Sequence, residues 1–161
     1  MAYDIHPDAR IGHVHLKVSD LKRAIAFYRD VLGFTVMQRS GDTAAWLSAG
    51  GYHHHIALNT WHSKDGTPPP PGHTGLFHLA IVYPDRPALA RAVRKVIEAG
   101  TTIDGASDHG VSEAVYFYAP DGNGIELYRD RDPSDWPRDP EGGLAMHTQR
   151  LDLDALLAER G

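Results

Sequence analysis

The chain has 161 residues, 42% of them hydrophobic and 23% charged, with a net charge of −5 and no cysteine. That length suits one domain, or two small halves sharing a core. The acidic balance and the lack of a long Lys/Arg cluster argue against nucleic acid or an anionic membrane as the main partner, and without cysteine there is no disulfide framework, thiolate nucleophile or cysteine metal site.

In chain order, "MAYDIHPDAR" at 1–10 lacks the charged-then-apolar pattern of a signal peptide, and the longest apolar runs, such as "LFHLAIVY" at 76–83, are far too short to span a bilayer. A soluble, cytoplasmic protein is expected. "IGHVHLKV" at 11–18 reads as a first strand. Leu21, Ala24, Ile25, Tyr28, Val31 and Leu32 then recur at helical spacing, with Ser19 or Asp20 as the N-cap and Gly33 as the stop. Three strand-like runs follow, "FTVMQR", "AAWLSA" and "HHIALNT". The last of these overlaps "GGYHHHIALNTW" at 50–61, where three successive histidines enter an otherwise apolar stretch. Imidazole is costly to bury unless it finds a hydrogen bond, a charge partner or a metal.

Residues 62–75 contain four successive prolines, Pro68 to Pro71, and are expected to form an extended, stiff connector. "LFHLAIVY" begins a second cycle. Its helix carries Leu89, Val93, Val96 and Ile97 on one face, starts after Asp85 with Pro87 in its first turn, and stops at Gly100. The strands "TTIDGA", "EAVYFYA" and "GIELYRD" follow, the last two joined by the turn "PDGNG". Residues 132–161 form an extension that is proline-broken at first. It ends in a short helix with Leu153, Leu156 and Leu157 on one face, packing on its own core or on a partner subunit.

The two cycles are a repeat. His13 and His78, Asp20 and Asp85, and Gly33 and Gly100 are separated by 65, 65 and 67 residues. Duplicated units of this length bury their apolar faces against each other. The expected fold is α+β, with βαβββ modules at 9–61 and 76–131 paired into a curved mixed sheet around a central metal site. His13 and His78 fall at matching places across the pseudo-symmetry axis. Glu126, alternating with Ile125 and Leu127, points away from those apolar neighbours and needs a partner. Two neutral imidazoles and a carboxylate form the facial triad of non-haem Fe(II) enzymes.

With these residues in place, the chain resembles the vicinal oxygen chelate (glyoxalase/bleomycin resistance/dioxygenase) superfamily over about residues 9–131. The carriers are "HVHLKVSDLKRAIAFYRDVLGF", "FHLAIVYPD" and "APDGNGIELYRD". Within it, "HHHIALNTW", "DHGVSEAVYFYAPDGNGIELYRD" and "LDLDALLAE" are similar to extradiol ring-cleavage dioxygenases of the catechol 2,3-dioxygenase kind. The resemblance implies His13, His78 and Glu126 as metal ligands, Fe(II) with Mn(II) as the alternative, and an aromatic diol and O2 as substrates. It implies Tyr116 and His109 as hydrogen-bond donors and His54 as the acid/base residue. Strand alternation counted from Ala57, the repeat's counterpart of Glu126, favours His53 or His55 instead, so His55 stands as runner-up. A metal-dependent isomerase, a thiol transferase and a small-molecule-binding resistance protein are the alternatives, the first disfavoured by Ala57 at the place of a fourth ligand. Such dioxygenases often carry four modules rather than two, and a homodimer or larger assembly is expected to cover exposed sheet edges.

Overall fold

The structure is a computed structural model describing residues 4–160; residues 1–3 of the N-terminal stretch and residue 161 of the C-terminal extension lie outside it. Each half builds its strand-to-helix corner in the same way. β1 (Val14–Lys17) enters α1 (Leu21–Ala26) through Asp20, whose carboxylate accepts from Arg23 N at 3.0 Å. β5 (His78–Tyr83) enters α2 (Arg86–Glu98) through Asp85, which accepts from Ala88 N at 2.7 Å. These side chains satisfy amides that a helix start leaves unpaired.

The first helix departs from the expected run. After Ala26 it widens into a π-helical segment, Phe27–Val31, where Leu32 N donates to Phe27 O at 3.2 Å. The consecutive rings of Phe27 and Tyr28 are both buried in that segment.

β2 (Thr35–Ser40), β3 (Ala44–Ser48) and β4 (Ile56–Asn59) complete a four-stranded sheet in the order β1-β4-β3-β2. β6 (Gly105–Asp108), β7 (Ser112–Tyr118) and β8 (Gly124–Asp130) give the second sheet the order β5-β8-β7-β6. In both, the strand before the helix runs parallel to the last strand of its module, and the other pairs within the module are antiparallel. The register repeats too: His15 pairs with Ala57, and Ala80 with Glu126. The duplication read from residue offsets is therefore a duplication of hydrogen-bonding geometry.

One apolar cluster spans both halves. Leu47, Leu58, Leu89, Val93, Val96, Ile125, Leu127 and Leu156 are completely buried in it, each worth about 1.5–3 kcal/mol of transfer free energy. Polar contacts also join the halves. Asp121, in the "PDGNG" turn, accepts from Ser19 N at 3.0 Å, Ser19 Oγ at 2.6 Å and Arg23 Nη2 at 2.9 Å.

The C-terminal extension folds back on the second module. β9 (Gln149–Arg150) pairs with β6, and α3 (Leu153–Leu157) packs on α2 with Leu156 buried, so this helix covers its own core. Arg94 Nη1 donates to the carbonyls of Leu157 and Glu159. Beneath the extension, the buried carboxylate of Glu113 receives Arg129 Nε at 2.8 Å and Arg86 Nε at 3.1 Å, with Arg131 Nη2 at 3.6 Å. Among the described residues no helix is long and apolar enough to cross a membrane.

Candidate functional site

The parallel pair β5 and β8 sets the first half of the site. At Gly124 a Cβ would lie 2.3 Å from the Phe77 carbonyl oxygen, so glycine lets the strands meet closely beside His78. Two residues along β8, Glu126 sits directly opposite Tyr116 of β7. His78 Nε2 and Glu126 Oε2 are 2.9 Å apart. Tyr116 Oη lies 3.2 Å from Glu126 Oε1 and 2.7 Å from His109 Nε2. Four of the residues singled out in the sequence therefore form one unbroken polar chain, His78–Glu126–Tyr116–His109. Glu126 is largely buried, His78 about one third exposed, and His78 Nδ1 is buried without a hydrogen-bond partner. Burial first, and then the Glu126 carboxylate, push the Tyr116 phenol up to about 12.

The second half of the site gathers at the start of β1. His13 lies one residue before the strand, exposed, with its ring centroid 4.4 Å from that of His54. The histidine run is not part of β4, which begins only at Ile56. Gly50 and Gly51, at φ 64° and 79°, turn the chain in a way that side chains resist, and His53 to His55 form the irregular approach to the strand. Strand alternation does not govern where these rings point. His55 Nδ1 accepts from Ala49 N at 3.3 Å and lies 3.2 Å from Ser48 Oγ, which engages that nitrogen with the end of β3. His54 is left facing His13 on one side and His53 on the other, the two Nδ1 atoms of the run being 2.8 Å apart. Partial burial, followed by the neighbouring imidazoles of His13, His53, His15 and His55, holds the pKa of His54 below the ordinary histidine value.

The donor set matches a divalent ion in two of its three places. Two donors bound cis to an octahedral ion at about 2.1 Å lie about 3 Å apart, which is the His78–Glu126 separation. His13 is gathered with His54 rather than with that pair, and among the described residues no three histidine or carboxylate side chains converge closely enough to hold an ion.

Four contacts were not foreseen from the sequence. Asn59, buried, accepts from Trp61 N through Oδ1 and places Nδ2 2.9 Å from His15 Nε2. The contacts of His147 and Thr148 with His109 join residues 38 and 39 positions apart, and no local pattern marks them. Two concavities, one beside β6 and Asp152 and one beside Ser19 and Lys64, contain none of these histidines.

Paired βαβββ modules with this duplicated register define a recognised class of α+β protein. The chain belongs to the glyoxalase/bleomycin resistance protein/dioxygenase superfamily, whose sequence profile matches residues 10–127. It is 43% identical over 157 residues to a catechol-2,3-dioxygenase of Bacillus subtilis, an alignment covering 98% of this chain and 54% of that protein. It is 27% identical over 138 residues to a manganese-dependent 2,3-dihydroxybiphenyl 1,2-dioxygenase of Geobacillus genomosp. 3, covering 83% of this chain and 40% of that one. The chain thus spans about half the length of the curated relatives it matches. Among solved structures, a glyoxalase/dioxygenase from Nostoc punctiforme superposes with a TM-score of 0.64 at 23% identity, over 82% of this chain and 99% of that one, and shows the same fold.

Proposed function

We propose that this chain is an extradiol-type dioxygenase that opens a catechol-like aromatic diol with O2. The observation that carries the reading is the polar chain His78–Glu126–Tyr116–His109, in which a histidine–carboxylate pair at the spacing of cis metal ligands is continuous with two hydrogen-bonding groups. His78, Glu126 and His13 are the residues that would hold a divalent metal, Fe(II) or alternatively Mn(II). When bound, that ion supplies Lewis acidity and an electron path between diol and O2. The name of the Bacillus relative supports the diol class, and that of the Geobacillus relative keeps manganese open.

The protein's own groups then divide the remaining work. His54, held below the ordinary histidine pKa, is mostly neutral near pH 7 and accepts a proton from the diol. His55, engaged with Ala49 and Ser48, is less free for that task. Tyr116, whose phenol stays protonated, donates its O–H to Glu126 Oε1 and would turn it to an oxygen of the bound diol. His109 sits behind Tyr116 and orders it. At the repeat-related place of Glu126 the first module carries Ala57, completely buried, which supplies no fourth protein ligand and weighs against an isomerase that needs one.

The test is anaerobic titration of the metal-free protein with Fe(II) and with Mn(II), repeated on His13→Ala, His78→Ala and Glu126→Ala. Single-site binding in the wild type and its loss in each variant is expected. Binding unchanged in all three variants would remove the ligand assignment.

A further inference from the structure

We propose that His15, held in place by Asn59 and backed by Lys17, forms a subsite for an acidic substituent on the diol ring, which makes the substrate class a dihydroxyaromatic acid. The inference rests on the dioxygenase reading for the diol and adds the group that the ring carries. The duplication locates the subsite. In the second module Ala80, Glu126 and Tyr116 are neighbours across β5, β8 and β7. The same register in the first module aligns His15, Ala57 and Trp46 across β1, β4 and β3. The row that carries a carboxylate and a phenol in one half thus carries an imidazole, a methyl group and an indole in the other. His15 follows His13 by two residues, so their Cα atoms are no more than about 7 Å apart. It is also near enough to His54 to share in lowering the pKa of that ring. A substituent on the far side of a benzene ring stands off the diol oxygens by a comparable span.

The hydrogen bonds leave His15 with a donor to offer. A backbone N–H can only donate, so Asn59 Oδ1 is the acceptor for Trp61 N at 3.2 Å, and Nδ2 lies at the other end of the amide. Nδ2 can only donate, so His15 Nε2, 2.9 Å away, accepts. A ring nitrogen that accepts carries no hydrogen, and the neutral imidazole keeps its hydrogen on Nδ1. Among the described residues the ring has no other hydrogen-bond partner, so the Nδ1–H is free for a ligand. Trp61, itself half exposed, packs beside the imidazole with ring centroids 5.6 Å apart.

Charge favours an anion as the acceptor. His15 and Lys17 are exposed on either side of the buried Leu16, and Lys17 forms no ion pair with the described residues. None of the four strands of the first sheet contains Asp or Glu. A carboxylate on the ring would therefore meet an N–H and an ammonium group, with no competing acid in that sheet.

The probes are 3,4-dihydroxybenzoate, its neutral amide and 4-methylcatechol, titrated calorimetrically into Fe(II)-loaded protein kept free of O2, with O2 uptake measured afterwards. The wild type is expected to bind the acid tightest and 4-methylcatechol weakest. His15→Leu should cut the advantage of the acid over 4-methylcatechol about 10–100-fold, the worth of one hydrogen bond to a charged group. Lys17→Met should cut it about 2–5-fold, and added salt should remove that part. Asn59→Leu keeps a side chain of similar size and unties the imidazole, so it should lower the same advantage; a merely structural role for Asn59 would weaken all three ligands alike. An amide bound as tightly as the acid would overturn the proposal, as would a His15→Leu protein with the wild-type preference. Preferential binding of the acid without O2 uptake from any of the diols would refute the dioxygenase reading and leave the subsite standing. O2 uptake with equal affinity for all three would refute the subsite and leave the dioxygenase reading standing.

Discussion

Glu113→Ala is expected to be the most destabilising single change outside the apolar core. The side chain is 8% exposed and receives Arg129 at 2.8 Å and Arg86 at 3.1 Å, with Arg131 at 3.6 Å. Removing one partner of a buried ion pair typically costs about 3–5 kcal/mol, most of it from charge left without compensation. Two of the three arginines keep other partners: Arg131 holds Asp108 at 2.5 Å, and Arg86 holds Glu159. Arg129 keeps only a 3.4 Å contact to the Asp130 carbonyl, and all three guanidinium side chains retain partial exposure. The lower end of the range follows, about 3 kcal/mol. For a domain of this length that lowers Tm by about 6–12 °C, at about 2–4 °C per kcal/mol. Urea unfolding should show the loss as a shifted midpoint at unchanged slope. Glu113→Gln, which keeps an acceptor but not the charge, should fall between. A Glu113→Ala protein within about 1 kcal/mol of wild type would show that the cluster is solvated enough to need no carboxylate.

His54→Ala should retain metal and lose about 10²–10⁴-fold in turnover, as a missing acid/base group does, while His55→Ala is milder; steady-state kinetics beside metal analysis separates them, and the reverse order would move the role to His55. Tyr116 should remain protonated well above the ordinary phenol range, since its pKa is raised to about 12 in the fold. Its contribution to stability is fully present below pH 10 and is lost as pH rises toward 12, because the unfolded chain ionises first. Ultraviolet titration of metal-free wild type against Tyr116→Phe checks this, and a phenolate assigned to Tyr116 near pH 10 would contradict it. Light scattering should give at least twice the monomer mass of 17.7 kDa, because β1 and β2 or β5 and β9 bound each sheet with unpaired edges; a monomer would refute the dimer.

Much of the architecture was legible because duplication writes the same punctuation twice. Asp20 and Asp85 cap equivalent helices, and His15–Ala57 repeats as Ala80–Glu126 in the sheets. The repeat marked His78, a carboxylate on an apolar strand marked Glu126, and the family resemblance marked Tyr116 and His109; the structure joins all four. The histidine run was misleading for a local reason: Ile56, Ala57 and Leu58 extend the apolar pattern backwards, yet the turn at Gly50 and Gly51 delays the strand until Ile56. The contact of Thr148 with His109 was invisible because it depends on a tail returning to a loop 39 residues earlier, a tertiary contact without sequence period. The π-helical widening after Ala26 had no signal either, since Tyr28, Val31 and Leu32 fit an ordinary helical stripe.

Oxygen consumption decides most directly whether this fold carries extradiol chemistry. Protein loaded anaerobically with Fe(II) or Mn(II), its metal content measured, would be mixed with a panel of catechols in an oxygen electrode while product absorbance is recorded. Uptake of one O2 per diol with a coloured, ring-opened product is expected for at least one catechol, and Glu126→Ala should abolish it. Fully metal-loaded wild-type protein that consumes no O2 with any catechol of the panel would contradict the assignment.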